Sequence, residues 1–176
     1  MTTWAEVEAD YHQFFLAAVD ADPSATDGAG VIGTSPNVVV VRTGIATGPV
    51  SVALSYLEGE PSGHTEQWED VSRAVVKVTL PLKVMTNFGD VSEDHEVVQP
   101  PTTGWLAVQI SARGRSERPD AIVEESSEQY LIEVWPVDTP KGTRPEVSGA
   151  GGDRGDWYAT DATARRRGPV VWNPDT

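Results

Sequence analysis

Residues 104–137, GWLAVQISARGRSERPDAIVEESSEQYLIEVWPV, carry the clearest two-residue hydrophobic period of the chain. Such an alternation is typical of a strand that buries one of its faces. The apolar positions of the first half are Leu106, Val108, Ile110 and Ala112. A polar connection with a glycine and a proline follows, and Tyr130, Ile132 and Val134 then resume the alternation. The stretch therefore predicts a β-ribbon with one face in a hydrophobic core.

Shorter apolar runs on the N-terminal side of this ribbon predict further strands. Residues 38–42 are rich in β-branched side chains, and residues 50–57 alternate between apolar and polar side chains. The intervening segment, residues 43–49, contains two glycines, as a hairpin connection between the two strands does. Residues 11–19 indicate a strand buried on both faces, while a short helix over residues 4–19 fits the same letters.

The longest strand signal is residues 71–84, VSRAVVKVTLPLKV, with one continuous apolar row. Pro81 cannot donate a hydrogen bond to a neighbouring strand, so the strand lies at an edge or bends there. The number of turn signals predicts an all-β fold, specifically a two-sheet β-sandwich of about seven or eight mainly antiparallel strands. We expect this domain to span residues 1–137, followed by a Gly/Pro-rich linker over residues 138–156 and a flexible C-terminal tail over residues 157–176.

Composition restricts where such a protein works. The 176 residues include no cysteine, which excludes a disulfide framework and fits a reducing compartment. The first residues, MTTWAEVEAD, lack the basic and apolar regions of a secretion signal. No apolar run approaches the ~20 residues of a membrane-spanning helix. These features predict a soluble, cytoplasmic protein without membrane contacts.

The net charge of -14 is concentrated in one part of the chain. Residues 1–137 hold 7 basic and 21 acidic side chains, whereas the remaining residues hold 6 of each. Such a field repels nucleic acid and attracts basic surfaces, so it favours a basic protein partner and no direct contact with nucleic acid. The competing interpretation is that the acidity only keeps the protein soluble.

Two loops, residues 58–70 and residues 90–96, concentrate the carboxylates and form two clusters of candidate binding residues. Carboxylates there would imitate phosphate groups and meet lysine and arginine of a partner. Trp68 is a candidate anchor, because aromatic side chains are enriched at interface hot spots, and Trp105 is an alternative anchor. For both, packing within the fold is a competing interpretation. The predicted partner-binding residues are Glu66, Trp68, Asp70, Asp90, Glu93, Asp94 and Glu96.

Motifs for catalysis and for cofactors are weak. GAGVIG, residues 28–33, spells the dinucleotide fingerprint, but Thr-Ser-Pro and a strand-like run follow it, where the fingerprint requires a helix. His95 lies between two acids without the regular spacing of a calcium loop. No acid, base or nucleophile stands in a recognised catalytic pattern. We therefore predict no catalytic residue, no cofactor and no metal site.

Two stretches resemble the competence protein J family, which comprises small bacterial inhibitors of a DNA-entry nuclease. YHQF, residues 11–14, is similar to the N-terminal strand motif of that family, and VKVTLPLKV, residues 76–84, is similar to its central strand. Gly104 and Trp105 match a later Gly-aromatic strand opening. The resemblance covers about a third of the chain, and it implies a β-sandwich that binds and inhibits a nuclease.

The sequence thus supports three hypotheses for function. The first is a non-enzymatic acidic binding module, an inhibitor or immunity-type protein that occludes a basic partner such as a nuclease. The second is a structural or assembly module whose C-terminal tail docks on a neighbouring subunit. The third is a hydrolase that uses paired loop carboxylates, whose separation in space the sequence does not reveal.

Overall fold

The computed structural model describes residues 2–26, 28, 30–62, 67–138, 146–149 and 159–160. These residues form an all-β fold, as predicted, with a single 3-10 turn at Pro23–Ala25. The strands are β1 (Trp4–Asp10), β2 (Gln13–Ala17), β3 (Ile32–Ser35), β4 (Val38–Arg42), β5 (Thr47–Tyr56), β6 (Asp70–Lys77), β7 (Lys83–Met85), β8 (Trp105–Arg113), β9 (Gln129–Pro136), β10 (Glu146–Gly149) and β11 (Ala159–Thr160).

The strands form one continuous hydrogen-bonded path, in the order β10-β6-β8-β9-β5-β1-β2-β4-β3. β7 also pairs with β2, and β11 also pairs with β6. All pairs are antiparallel except β5 with β9 and β11 with β6, so the mainly antiparallel character is confirmed. Just before β3, the Val31 amide donates to Ser72 Oγ of β6 over 3.3 Å, which brings the sheet close to a closed barrel.

The expectation of two separate sheets is therefore not met in the described part of the chain. The parallel pairing of β5 with β9 joins the N-terminal strands to the ribbon of β8 and β9 within one sheet. A two-residue period states which side chains share a face, but it does not state which strands are neighbours. The hairpin predicted at residues 43–49 is wrong for the same reason. The segment joins β4 to β5, but these two strands are not neighbours in the sheet.

The interior of the barrel is a single cluster of buried apolar side chains to which every strand from β1 to β9 contributes. The β-ribbon predicted over residues 104–137 is confirmed as the antiparallel pair β8 and β9, and its apolar row faces this cluster. Tyr130 of β9 meets Phe14 of β2 edge to face, with ring centroids 5.5 Å apart. The centre of the core thus lies between the ribbon and β2.

Two smaller clusters lie on the outer surface of the sheet. One is formed by outward-facing side chains of β2, β4 and β7, so β2 is buried on both faces, as predicted. The other contains Trp105 and Trp135 on the outer face of β6, β8 and β9. Because only 8% of Trp105 is exposed, this side chain packs within the fold and is not a free anchor for a partner.

β1 and β2 are joined by a two-residue turn in which Tyr11 and His12 have φ angles of 51° and 62°. Two consecutive residues with positive φ are typical of a type I′ hairpin turn, whose twist matches that of the flanking strands. The alternative of a helix over residues 4–19 does not occur. The long strand signal at residues 71–84 is also divided, because β6 ends at Lys77 and β7 begins at Lys83.

Most of the predicted linker and tail lies outside the described residues. Within them, the backbone of β10 pairs with β6 between Asp70 and Arg73, and that of β11 pairs with β6 at Val75 and Val76. The predicted domain boundaries stay predictions. In the described ranges there is no helix with the length and apolarity that a membrane crossing requires.

Candidate functional site

The segment after β7, residues 86–98, is held firmly against the barrel, and we call it the acidic loop. Its middle is fixed by an isolated bridge of Met85 with Val91, and its C-terminal end by one of Leu82 with Val98. The Ser92 amide also donates to the carbonyl of Val84 over 2.9 Å. Such backbone bonds give a loop one defined conformation, so the loop's side chains are presented from fixed positions.

His95 ties the acidic loop to the barrel wall. Its Nε2 lies 3.1 Å from the carbonyl oxygen of Val52 on β5, and its Nδ1 lies 2.7 Å from Ser92 Oγ. Since a carbonyl oxygen can only accept, Nε2 donates, and in the neutral ring Nδ1 then accepts from the Ser92 hydroxyl. His95 therefore connects the acidic loop to β5 through these two hydrogen bonds.

Five carboxylates converge on a groove of about 320 Å³ between β1 and the acidic loop, which we call the acidic groove. No lysine or arginine lines it, and none of the five forms an ion pair within the described residues. All five side chains are exposed. The acidic residues are Glu6, Glu8, Asp90, Glu93 and Asp94. The predicted residues Asp90, Glu93 and Asp94 are thus brought together, with two further carboxylates from β1.

Glu6 and Glu8 were not among the predicted site residues, although the sequence contains their signal. In the run WAEVEAD, Val7 and Ala9 face the core and are buried, so the glutamates on either side of Val7 must point outward. That alternation predicts an acidic outer face on a strand. The acidic loop lies about 80 residues later in the chain, so its proximity to β1 follows only from the fold.

Asp94 and Glu96 also line a second groove, of about 400 Å³, beside the acidic groove. Its other wall is formed by Thr2 and Thr3 and by residues 54–57, at and just after the end of β5. Asp94 lines both grooves. The four predicted residues of the second cluster therefore lie on one continuous surface.

In the first predicted cluster, two carboxylates are paired with arginines of the fold. Asp70 Oδ2 lies 2.8 Å from Arg115 Nη1, and Glu60 makes a 2.8 Å ion pair with Arg73. Burial is the largest single effect and lowers the pKa of Arg115, but the hydrogen bond and charge of Asp70 and the contact with Tyr130 together outweigh it, so the pKa of Arg115 is raised. Asp70 is therefore already paired with a cation, whereas Glu66 lies outside the described residues.

Trp68 is half-buried and packs between two side chains of the barrel surface. Its ring stacks on that of Trp4, with centroids 6.4 Å apart and an interplanar angle of 24°. The Arg113 guanidinium lies 5.1 Å from the Trp68 centroid, a cation–π contact. These contacts account for the position of Trp68 within the protein, and its role as a partner anchor stays a prediction.

A buried carboxylate organises the segments around residues 43–49 and the start of β9. Only 1% of Glu128 is exposed, and its oxygens accept from the amides of Gly44 at 3.1 Å and Ile45 at 2.7 Å. The Tyr130 hydroxyl donates to the same carboxylate over 2.5 Å. Burial, reinforced by the charge of Glu128, raises the pKa of Tyr130, so the phenol keeps its proton and remains a donor.

A polar ladder crosses the outer face of β6, β8 and β9. Arg73 Nε donates to Gln109 Oε1 over 2.5 Å, and Gln109 Nε2 donates to Glu133 over 3.0 Å. Burial raises the pKa of Glu133, against the opposing effects of Gln109 and Arg73. Each member of the ladder is therefore bonded to the next along the outer face of the sheet.

In the described ranges, no group of three or more His, Asp and Glu side chains is arranged to hold a metal ion. His12 lies 3.6 Å from Asp120, but the two side chains are 45% and 88% exposed, as in an ordinary surface contact. The hydrolase hypothesis, which concerns paired loop carboxylates, stays a prediction.

No protein-family model matches the chain, and no curated protein matches its sequence significantly. Among solved structures, the fold is similar to that of a protein titled "Crocagin biosynthetic gene J", with 13% sequence identity and a TM-score of 0.49. The similarity covers 77% of this chain and 97% of that chain. So distant a likeness assigns neither a family nor an activity to the chain.

Proposed function

We propose that this protein is a non-enzymatic binding module whose acidic groove occludes a basic protein partner. The observation that carries the proposal is the convergence of five exposed carboxylates on one groove without an ion pair among the described residues. Charges that have no partner within the fold attract an oppositely charged surface and accelerate its association. A nuclease is the partner class favoured here, because its substrate-binding surface is basic and because the sequence resembles a family of nuclease inhibitors.

Fixed geometry favours specific binding over diffuse attraction. The acidic loop is tied to the barrel by His95 and by backbone bonds, and β1 belongs to the sheet. Groups held in place before binding lose little conformational entropy when the partner arrives. The groove therefore supports a module that presents its carboxylates from fixed backbone positions, in imitation of the phosphates of nucleic acid.

An inhibition titration tests this function. The purified protein is added to small secreted nucleases and to DNA-entry nucleases at low and at moderate salt. We expect stoichiometric inhibition of at least one enzyme, and the inhibition should weaken as salt rises because the attraction is screened. A nuclease of acidic surface serves as the control. If no basic nuclease is bound or inhibited at low salt, the proposed function is ruled out.

A second candidate function is an assembly module, which the pairing of β10 with β6 favours. Residues well beyond the predicted domain pair along the edge of β6, at Asp70 to Arg73. The same backbone pairing made by the C-terminal segment of a neighbouring copy would exchange identical elements between subunits. In that case the tail supplies the contact between subunits, and the acidic groove only maintains solubility.

Light scattering on the full chain and on a chain ending at Asp138 distinguishes the two candidates. An assembly module is expected to form oligomers that dissociate when the C-terminal segment is removed. The inhibitor module is expected to retain its binding to the basic partner after truncation. A monomeric full chain over a wide concentration range would exclude the exchange of C-terminal segments.

A further inference from the structure

β1 has one paired edge and one open edge. Along one edge it pairs with β5 over its whole length, from Trp4 opposite Ala53 to Asp10 opposite Thr47. Along the other edge, only Asp10 pairs, with Gln13 at the start of β2. From there β2 pairs with β7 instead, between Phe15 and Ala17. In the described part of the chain, nothing continues the sheet beside residues 4–9.

The residues whose backbone groups face the open edge follow from the hydrogen bonds of β5. The Ser51 amide donates to the backbone carbonyl of Glu128 over 3.0 Å, on the side away from β1, although Ser51 is directly opposite Glu6. Pairs in an antiparallel ladder alternate between bonded and non-bonded, so Glu6 and Glu8 do not bond to β5. Pro49 agrees with this, because it stands opposite Glu8 and has no amide hydrogen to donate.

The backbone N–H and C=O groups of Glu6 and Glu8 therefore point into the acidic groove. The side chains of the same two residues project outward, since Val7 and Ala9 face the core. An edge strand that exposes such groups is a template for another strand, and proteins usually block it with a bulge, a proline or a covering segment. Here the edge is bordered by Asp90, Glu93 and Asp94.

We propose that the open edge of β1 binds an extended segment of the partner as an added strand, with basic side chains at alternating positions. The proposal deepens the proposed function and rests on it for the basic character of the partner. Strand addition is an established mode of peptide recognition, in which backbone bonds give affinity and alternate side chains give specificity. Lysine or arginine opposite Glu6 and Glu8 would form cross-strand pairs, with the acidic loop on the other side.

The test uses the full-length protein and synthetic peptides as probes. One acetylated decapeptide has four lysines at alternating positions between threonine and valine, and an isomer of the same composition has the four lysines in a row. We expect the alternating peptide to bind roughly 10-fold more tightly at low salt, because only its lysines share one face of a strand. Its binding should also protect the amides of Glu6 and Glu8 from hydrogen exchange, while Val7 and Ala9 are already bonded to β5.

Methylated peptides separate backbone pairing from charge. In a bound strand alternate amides face β1, so N-methylation of one alternate set should abolish the preference, and methylation of the other set should leave it. A Glu6→Gln and Glu8→Gln protein should lose affinity for the alternating peptide, whereas Glu124→Gln and Glu125→Gln, exposed on the connection from β8 to β9, should not.

Equal affinity of the two isomers, or equal effects of the two methylation patterns, would overturn strand addition. The proposed function would survive that result if basic nucleases were still inhibited in the titration, because charge attraction alone suffices for it. Conversely, a strong preference for the alternating peptide without inhibition of any nuclease would confirm the edge site and would remove the nuclease as its partner.

Discussion

Replacing Glu128 by alanine is expected to lower the free energy of unfolding by about 3–5 kcal/mol. The substitution leaves the Gly44 and Ile45 amides and the Tyr130 hydroxyl without their acceptor in a buried site. A buried donor without a partner costs about 1–3 kcal/mol. The removal of one desolvated carboxylate offsets part of this cost. Urea titration followed by circular dichroism measures the difference.

Tyr130→Phe is the matched control for this prediction. It removes one donor but leaves the carboxylate bonded to both amides, so its expected cost is about 1 kcal/mol. Tyr130→Phe should also reduce the loss of stability at alkaline pH. The pKa of Tyr130 is higher in the folded state than in the unfolded state. Above the pH at which the unfolded phenol ionises, the folded protein therefore holds one more proton, and its free energy of unfolding falls as the pH rises. A Glu128→Ala protein within 1 kcal/mol of the original would contradict the role assigned to this carboxylate.

The elements that the sequence predicts well are those decided by local alternation. The row Leu106, Val108 and Ile110 faces the core because every second side chain of a strand shares a face, and a hydrophobic row has no other stable position. The same rule predicts that β2 is buried on both faces. The same alternation, with Val7 and Ala9 facing the core, marks β1, which lies before the predicted strand at residues 11–19.

The arrangement of those elements depends on pairing, which the alternation does not contain. The parallel contact of β5 with β9 joins Ser51 to Gln129, and only the completed fold brings such distant residues together. This contact makes one curved sheet where two sheets were expected. The closure at Val31 and Ser72 likewise depends on the curvature of the whole sheet.

The sequence also does not show which charged side chains are paired with each other in the fold. Asp70 and Asp90 look equivalent in the sequence, yet Asp70 is paired with Arg115, 45 residues later in the chain, and Asp90 has no basic neighbour in its groove. The composition of the acidic loop is enough to predict a binding surface. Only the fold adds Glu6 and Glu8 to that surface and removes Asp70 from it.

Reversing three of the four negative charges of the acidic loop is expected to have the largest effect on binding. The variant Asp90→Lys, Glu93→Lys and Asp94→Lys places cations where the basic partner would meet carboxylates. Close charge pairs across an interface are coupled by about 1.5–7 kcal/mol, so the affinity should fall by at least about 100-fold at low salt. The three side chains are exposed and unpaired among the described residues, so folding should be unaffected.

The control variant, Asp20→Lys, Glu124→Lys and Glu125→Lys, changes the net charge equally at exposed positions outside the acidic groove. If the groove is the binding site, the control should lose much less affinity, mainly through slower association, because distant charges act only as a screened field. Equal losses in the two variants would mean that total charge governs the interaction and that the partner recognises no particular surface. A loop variant that binds as tightly as the original would exclude the groove, because three repulsive contacts at a true interface cannot be neutral.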